Sequence, residues 1–505
     1  MLIENGKQVD RKSLYLPLVE DKLGLLQSEI SKLNSDRKFF STESCVSSLK
    51  TYLLTECDFY CLPTIVYEIN LKRLLKGLSG DTPQDRYEYY FKYFNFFKVY
   101  PKLASLLEEF ITSTIGSFLE AIKSIKNDRQ ILMSRFHLSD KDVLKGISFF
   151  PNGDRHHGKQ TLKLTFSSGI SLVYKPQVIN NEQLVAEIFD FVNRHIKDGK
   201  VKNYLFLENK DRLYRKFVKY DGKVNSYQNI QNFYLEVGHI LAICYLTNAT
   251  DIHMENLVAH SGDIYVIDRE TFFHHNEILG FNTKNDLFAT GLLANLNTRS
   301  SKASSVTGIS GGDKPRLSLT VPLVQNDDMD TISLKYIGLS KFRQHNRIFG
   351  SDGKIIDPLL FSDSITAGFA EAVRVFKTHK RSIINILEKH KNAKFRQVIR
   401  KTSFYTILIR QMFQPYNLKN KFYERELKTK ILSLCKNETK KTEILADYEV
   451  GELTKLNIPY FYTELFSKDL LYGNGIRISN FFDKTPFEEF NDKLKTCRIS
   501  TISLL

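Results

Sequence analysis

The hydrophobic rhythm of this chain changes sharply near Gly146, and that change limits the folds open to it. In residues 159–177, KQTLKLTFSSGISLVYKPQ, Leu162, Leu164 and Phe166 alternate with polar residues, Ser-Ser-Gly supplies a turn, and Ile170, Leu172 and Tyr174 alternate again. Period-two patterning on both sides of a glycine turn predicts a β-hairpin. NEQLVAEIFDFVNRHI follows with Leu184, Ile188, Phe191, Val192 and Ile196 at helical spacing, and NYLFLENKDRLYRKFVKY then predicts a second strand pair. Upstream, long helical periodicity runs through segments such as Tyr93 to Ile122, with one strong breaker, GLSGDTP at 77–83. Downstream, Ile230 to Ala249 predicts an apolar helix, Asn295 to Pro315 reads as a mobile Ser/Thr/Gly-rich loop, and helical periodicity returns from Ala367 to Leu434. The expected organisation is α/β (α+β): a helical region (1–145), a small lobe of hairpins and a helix (146–220), a larger lobe (221–366) and a C-terminal helical region (367–505).

A chain of 505 residues with 42% hydrophobic content can bury cores without disulfide staples. No apolar run approaches the roughly 18 residues that span a bilayer, and the longest, Ile240 to Leu246, has seven. The N-terminus MLIENGKQVDRK lacks a signal-peptide core, and the six cysteines are scattered, so a reducing cytoplasm is the expected location. Cys57 and Cys61 are spaced as a metal half-site, but no second Cys or His pair completes it. The net charge of +15 is concentrated: residues 371–441 hold 19 Lys+Arg against 5 Asp+Glu. A stretch of this kind binds nucleic acid, acidic peptide or phosphate, or is simply a solvated helix face.

The densest chemistry lies in residues 251–268, DIHMENLVAHSGDIYVID. Asp251, His253 and Asn256 form a D-x-H-x-x-N loop, and a short strand pair then returns to Asp268. Kinase catalytic loops have this order: an Asp that takes the hydroxyl proton, an Asn five residues on that holds Mg²⁺, and a metal-binding Asp after a β-turn. Lys175, closing the ISLVYK strand, occupies the place of the phosphate-binding lysine, with Glu182 or Glu187 on the next helix as its expected carboxylate partner. Pro151-Asn-Gly-Asp-Arg-His-His-Gly158 stands where a kinase glycine loop would be, and reads either as a phosphate cradle or proton carrier, or as a polar turn.

GDRHHGKQTLKLTFSSGISLVYKPQ and NATDIHMENLVAHSGDIYVIDRETFF together resemble the dehydratase domain of class II lanthipeptide synthetases. VYEINLKRLLKGLSGDTPQDRYEYYF, ITAGFAEAVRVF, FRQVIRKTSFYTILI and ELTKLNIPYF extend the resemblance over about residues 60 to 470. It implies a lipid-kinase-like bilobal core embedded in additional helical regions. The implied activity is ATP- and Mg²⁺-dependent phosphorylation of Ser and Thr in a ribosomally made precursor peptide, comprising a leader and a Ser/Thr-containing core, followed by elimination of phosphate to dehydroalanine or dehydrobutyrine. By motif, Lys175 would contact ATP phosphates, Asp251 and His253 would serve phosphorylation, and Asn256 and Asp268 would hold Mg²⁺, with Glu270 assisting. Arg396 and Thr402 match the elimination pair, and Asp154 and His156 match the G-D-x-H motif, His156 being the candidate for proton transfer.

The chain departs from the family in three places. Arg400-Lys401-Thr402 replaces R-P-T, the G-D-x-H segment is one residue shorter with an extra His157, and the zinc cyclase domain with its Cys, Cys and His ligands is missing from these 505 residues. Cys435 and Cys497 do not replace it, so ring closure would be left to a separate cyclase or other modifying enzyme, or would not happen. The alternatives are a peptide kinase that does not eliminate and a non-catalytic precursor-binding protein. On the resemblance, the basic stretch is a field for ATP, phosphopeptide or an acidic leader rather than for nucleic acid.

Overall fold

A computed structural model describes residues 11–34, 38–150, 153–279, 281–282, 287–293, 307–309, 320–338 and 345–497. Except for residues 307–309, the Ser/Thr/Gly-rich loop at 295–315 lies outside the described residues, as do Pro151 and Asn152. The chain is a mixture of helices and small sheets.

The N-terminal region is helical because its apolar residues recur at one per turn. Helix Thr42–Leu74 buries Cys45, Leu49, Leu53, Cys57, Cys61, Ile65 and Ile69 along a single stripe. Cys57 and Cys61 are therefore wholly buried core residues, and burial pushes both thiols above their usual range. Helix Pro101–Asn127 starts with proline at its first position, where the missing N–H costs nothing, and packs on Leu16–Leu33.

The small sheet has five antiparallel strands: β1 (Leu144–Phe149), β2 (Leu162–Phe166), β3 (Ser171–Pro176), β4 (Phe206–Asn209) and β5 (Arg212–Lys216), in the order β1-β2-β3-β5-β4. Leu162 faces Tyr174 and Leu164 faces Leu172 in the β2–β3 register, as the alternation requires. Helix Glu182–His195 follows, burying Leu184, Ile188, Phe191 and Val192.

A second core surrounds helix Tyr227–Leu246, which crosses Ser362–Thr378 at backbone contact. A Cβ on Gly238 would lie 2.2 Å from the Ile365 carbonyl oxygen, and one on Gly368 would lie 2.2 Å from that of Leu235, so only glycine permits the crossing. The chain then turns into β6 (Leu257–His260) and β7 (Asp263–Val266), joined by Ser261 and Gly262, both with positive φ, as a tight hairpin demands.

The C-terminal region differs from its helical expectation. Lys394–Gln397 is a strand, paired antiparallel with Phe461–Glu464 and extended by Leu470–Tyr472 and Ile476–Ile478. The strand is four residues long and its partner is remote in sequence, so local periodicity carries no trace of it. No helix among the described residues is long and apolar enough to cross a membrane.

Candidate active site

Strand alternation places the first functional side chain. Tyr174 is buried on one face of β3, and Lys175 projects from the other with its Nζ 3.0 Å from Asp268 Oδ2 and 2.7 Å from Glu270 Oε2. This corrects the expectation for the helix carboxylates. Glu182 instead pairs with the buried Arg269 at 3.2 Å and accepts from the Tyr204 hydroxyl at 2.5 Å, and Glu187 pairs with Lys389 and His390. Arg269 lies between the helix and the site and captures the nearer carboxylate, while Glu187, more than a turn on, turns toward helix Lys380–Lys389.

The hairpin β6–β7 sets the catalytic loop beside Asp268. The Ile267 amide donates to the Asn256 carbonyl at 2.9 Å, which brings the ends of the motif together. Asn256 Nδ2 donates to the Asp251 carbonyl at 2.8 Å, fixing its amide so that Oδ1 remains as an acceptor. Asp251 holds a left-handed φ of 61°, and the neighbouring Ile252 amide is tied to the Thr290 carbonyl at 2.9 Å. His253 Nδ1 accepts from the Glu255 amide, so the ring proton sits on Nε2, 3.5 Å from Asp251 Oδ1.

Glu270 is the centre of the cluster. One carboxylate oxygen receives Lys175 and, at 3.1 Å, the Tyr460 hydroxyl; the other receives Arg396 Nη1. Burial pushes this carboxyl up, but Lys175 and Arg396 outweigh it and hold Glu270 well below the usual carboxylate range. The Arg396 amide also donates to the Glu270 carbonyl at 2.8 Å, so the strand is locked to residue 270 by backbone as well as side chain. Arg396 is 9% exposed, lies over the Tyr460 ring at 5.0 Å, and reaches Asp154 Oδ2 at 3.5 Å.

The Asp154–His156 loop rests on the chain near Ile458. The Ile458 amide donates to the Arg155 carbonyl at 2.7 Å, and His156 Nδ1 lies 2.8 Å from the Ile458 carbonyl. A carbonyl only accepts, so Nδ1 carries the ring proton and Nε2 presents a lone pair, 3.9 Å from Asp154 Oδ2. Burial and then Arg396 lower the His156 imidazole to about 3, so it is neutral near pH 7, while burial raises the Asp154 carboxyl. His157 turns away to Glu452 at 3.2 Å.

The structure thus gathers Lys175, Asp268, Glu270, Arg396, Asp154 and His156 into one connected network, with Asp251, His253 and Asn256 joined through the hairpin. Thr402 stands apart at the first position of helix Thr402–Met412. Among the described residues no hydrogen bond links its side chain to the network, although its carbonyl accepts from Thr406 Oγ1 at 3.1 Å. Tyr460, which touches Glu270, Arg396 and His156, carried no functional signal in the sequence. Three carboxylates, Asp154, Asp268 and Glu270, face the two cations Lys175 and Arg396, leaving one negative charge in excess beside hard oxygen donors, and a pocket of about 50 Å³ opens over Lys175, Asp268 and Glu270. That donor set fits a divalent cation such as Mg²⁺, for which one or two protein oxygens complete the ligand sphere of a phosphate.

The chain is 25% identical over 467 residues to the lacticin 481/lactococcin biosynthesis protein LcnDR2 of Lactococcus lactis subsp. lactis, an alignment covering 86% of this chain and 49% of that protein. It therefore spans about half the length of that relative. Residues 100–464, which include every member of the network just described, match the family model described as Domain of unknown function (DUF4135). On that match the chain belongs to the DUF4135 family, a domain found in LanM-type proteins.

Proposed function

We propose that this protein acts in lanthipeptide maturation as an ATP- and Mg²⁺-dependent dehydratase of Ser and Thr in a precursor peptide, with a kinase-like bilobal core. The observation that carries this reading is Glu270, which holds Lys175 and Arg396 at the same time. A phosphate-binding lysine and a candidate leaving-group arginine on one carboxylate would serve transfer and elimination in a single site.

In the first half-reaction the peptide hydroxyl oxygen attacks the γ-phosphorus of ATP and ADP leaves. Asp251 accepts the hydroxyl proton, and His253 Nε2–H orients its carboxylate. Asn256 Oδ1 and Asp268 would hold Mg²⁺, which neutralises phosphate charge when bound. In the second half-reaction a base removes the α-proton, the Cβ–O bond breaks, and its electron pair departs with phosphate. Arg396 stabilises that developing charge, and neutral His156 supplies a bare Nε2 as acceptor. The Lys401 departure is compatible with elimination: its φ of −58° is one that proline itself adopts, so the backbone entering Thr402 takes the same course.

The test is to incubate the protein with ATP, Mg²⁺ and its precursor peptide, and to weigh the product. Loss of water supports dehydration, and retained phosphate supports the kinase reading. An unchanged mass removes both.

A further inference from the structure

Asp154 and His156 face the catalytic network, and the residue between them faces away from it. Neighbouring side chains of an extended chain point in opposite directions. Arg155 is accordingly 5% exposed and turned into the protein, while Asp154 meets Arg396 and the His156 ring meets Tyr460. Arg155 lies over the Phe110 ring at 4.9 Å, and its guanidinium forks between two oxygens from distant parts of the sequence. Nη1 donates to the Lys455 carbonyl at 2.8 Å, at the end of helix Lys440–Thr454, and Nη2 donates to Ser113 Oγ on helix Pro101–Asn127. A planar guanidinium holds its donors in fixed directions, as a lysine ammonium does not. The loop closes on this fork: a Cβ on Gly158 would lie 3.5 Å from Nη2, and the Gly158 amide donates to Asn457 Oδ1 at 2.9 Å.

The strip of chain that Arg155 grips from behind is the one on which His156 rests in front. The Ile458 carbonyl takes the Nδ1 proton of His156 and so leaves Nε2 bare, a choice that lasts only while the loop stays on the strip. We propose that Arg155 is the positioning residue for Asp154 and His156, holding the loop so that His156 Nε2 and the Asp154 carboxylate stay aimed at the site of phosphate release. This rests on the dehydratase reading above. Arg155 acts through its neighbours, since its own side chain is directed away from the reacting atoms. A displacement of about 1 Å can cost about 10²-fold in rate. Loss of the fork therefore falls on elimination, while Lys175, Asp251 and Asn256 are carried by the small sheet and the β6–β7 hairpin and keep phosphorylation.

The experiment uses the full chain, its precursor peptide and the phosphoserine form of that peptide. Arg155→Met keeps a stem over Phe110 and removes the fork. Arg129→Met does the same to a second stacked arginine, over Phe39 at 5.0 Å and bonded to the Asp140 carbonyl at 2.9 Å, whose partners lie outside the loop. In Arg155→Met, elimination from the phosphopeptide is expected to lose about tenfold or more in kcat, with its KM and the phosphorylation rate within about twofold of the parent. Arg129→Met should change neither half-reaction. A second readout needs no turnover. In nitrogen NMR spectra of histidine-labelled protein at neutral pH, the His156 pair, identified by its absence in His156→Asn, should show one protonated and one bare nitrogen in the parent and averaged nitrogens in Arg155→Met. Elimination kcat within about twofold of the parent, or an unchanged His156 pair, overturns the proposal, as does an equal fall in both half-reactions. If Arg155→Met does not melt cooperatively, Arg155→Lys, which keeps a cation without the fork, is held to the same limits. If the parent makes no dehydrated product, the dehydratase reading falls, and the His156 pair alone upholds or overturns the positioning.

Discussion

Arg396 and Arg400 lie four residues apart, each 9% exposed, and each meets a glutamate that also accepts from a tyrosine: Glu270 with Tyr460, and Glu449 with Tyr405. The residue types are identical, yet the clusters differ in what surrounds them. Glu270 receives a second cation, Lys175, with Asp268 and Asp154 in contact with the same cations, and its carboxyl is held below the usual range. Among the described residues Glu449 has Arg400 as its one cation, is 0% exposed, and burial pushes its carboxyl up despite that arginine. A balanced pair sealed from water fastens helix Lys440–Thr454 to the segment after Arg396. Surplus charge left beside a pocket is what chemistry can use.

That contrast can be broken in four ways. The largest effect should come from Asp268→Asn, which removes a carboxylate beside Lys175 and a proposed metal ligand. Phosphopeptide formation should fall about 10³-fold, and activity within about tenfold of the parent would take Asp268 out of the first step.

Next come the two arginines. Arg396→Ala should let phosphopeptide accumulate, with elimination slowed about 10²–10³-fold. Arg400→Ala should leave the product ratio unchanged and cost about 3–5 kcal/mol in urea unfolding, because Glu449 is stranded. If Arg400→Ala traps phosphopeptide as strongly, the division between the clusters fails.

The third test is pH. Between about 6.5 and about 3 the unfolded chain protonates residue 156 while the folded protein does not. Stability therefore falls as pH drops through that window, by up to about 1.4 kcal/mol per unit from this residue. His156→Asn should flatten that part of the curve, and a parallel profile would show that His156 does not contribute it. The smallest effect is expected for Tyr460→Phe, which loses one hydroxyl bond to Glu270, worth about 1 kcal/mol. Elimination should slow several-fold, while Tyr405→Phe should alter unfolding alone.

Much of this site could be read before folding because its parts are local. The alternation of Leu162, Leu164 and Phe166 places the hairpin, the hairpin puts Lys175 at a strand end, and five residues from Asp251 to Asn256 define the loop. The pairing of Lys175 could not be read so directly. Helix position favoured Glu182 or Glu187, but the choice depends on buried Arg269, which a linear pattern does not locate. Tyr460 and the strand Lys394–Gln397 escaped for the same reason: each gains its role from a partner far along the chain. Glu270 was visible as an acidic residue two positions past Asp268, but its central place rests on two cations converging from separate strands.

The 190 residues between Glu270 and Tyr460 impose an order on the birth of the enzyme. A ribosome needs roughly 10–40 s to cross that interval at about 5–20 residues per second. Throughout that time the chain already owns Lys175, Asp251, Asn256, Asp268 and Glu270, while Glu270 waits 126 residues for its second cation, Arg396, and the full 190 for the Tyr460 hydroxyl. The groups proposed for attaching phosphate are thus synthesised well before Arg396, the cation proposed to stabilise its release. A nascent or prematurely ended chain would be a half-assembled device, with a carboxylate waiting for an arginine not yet made.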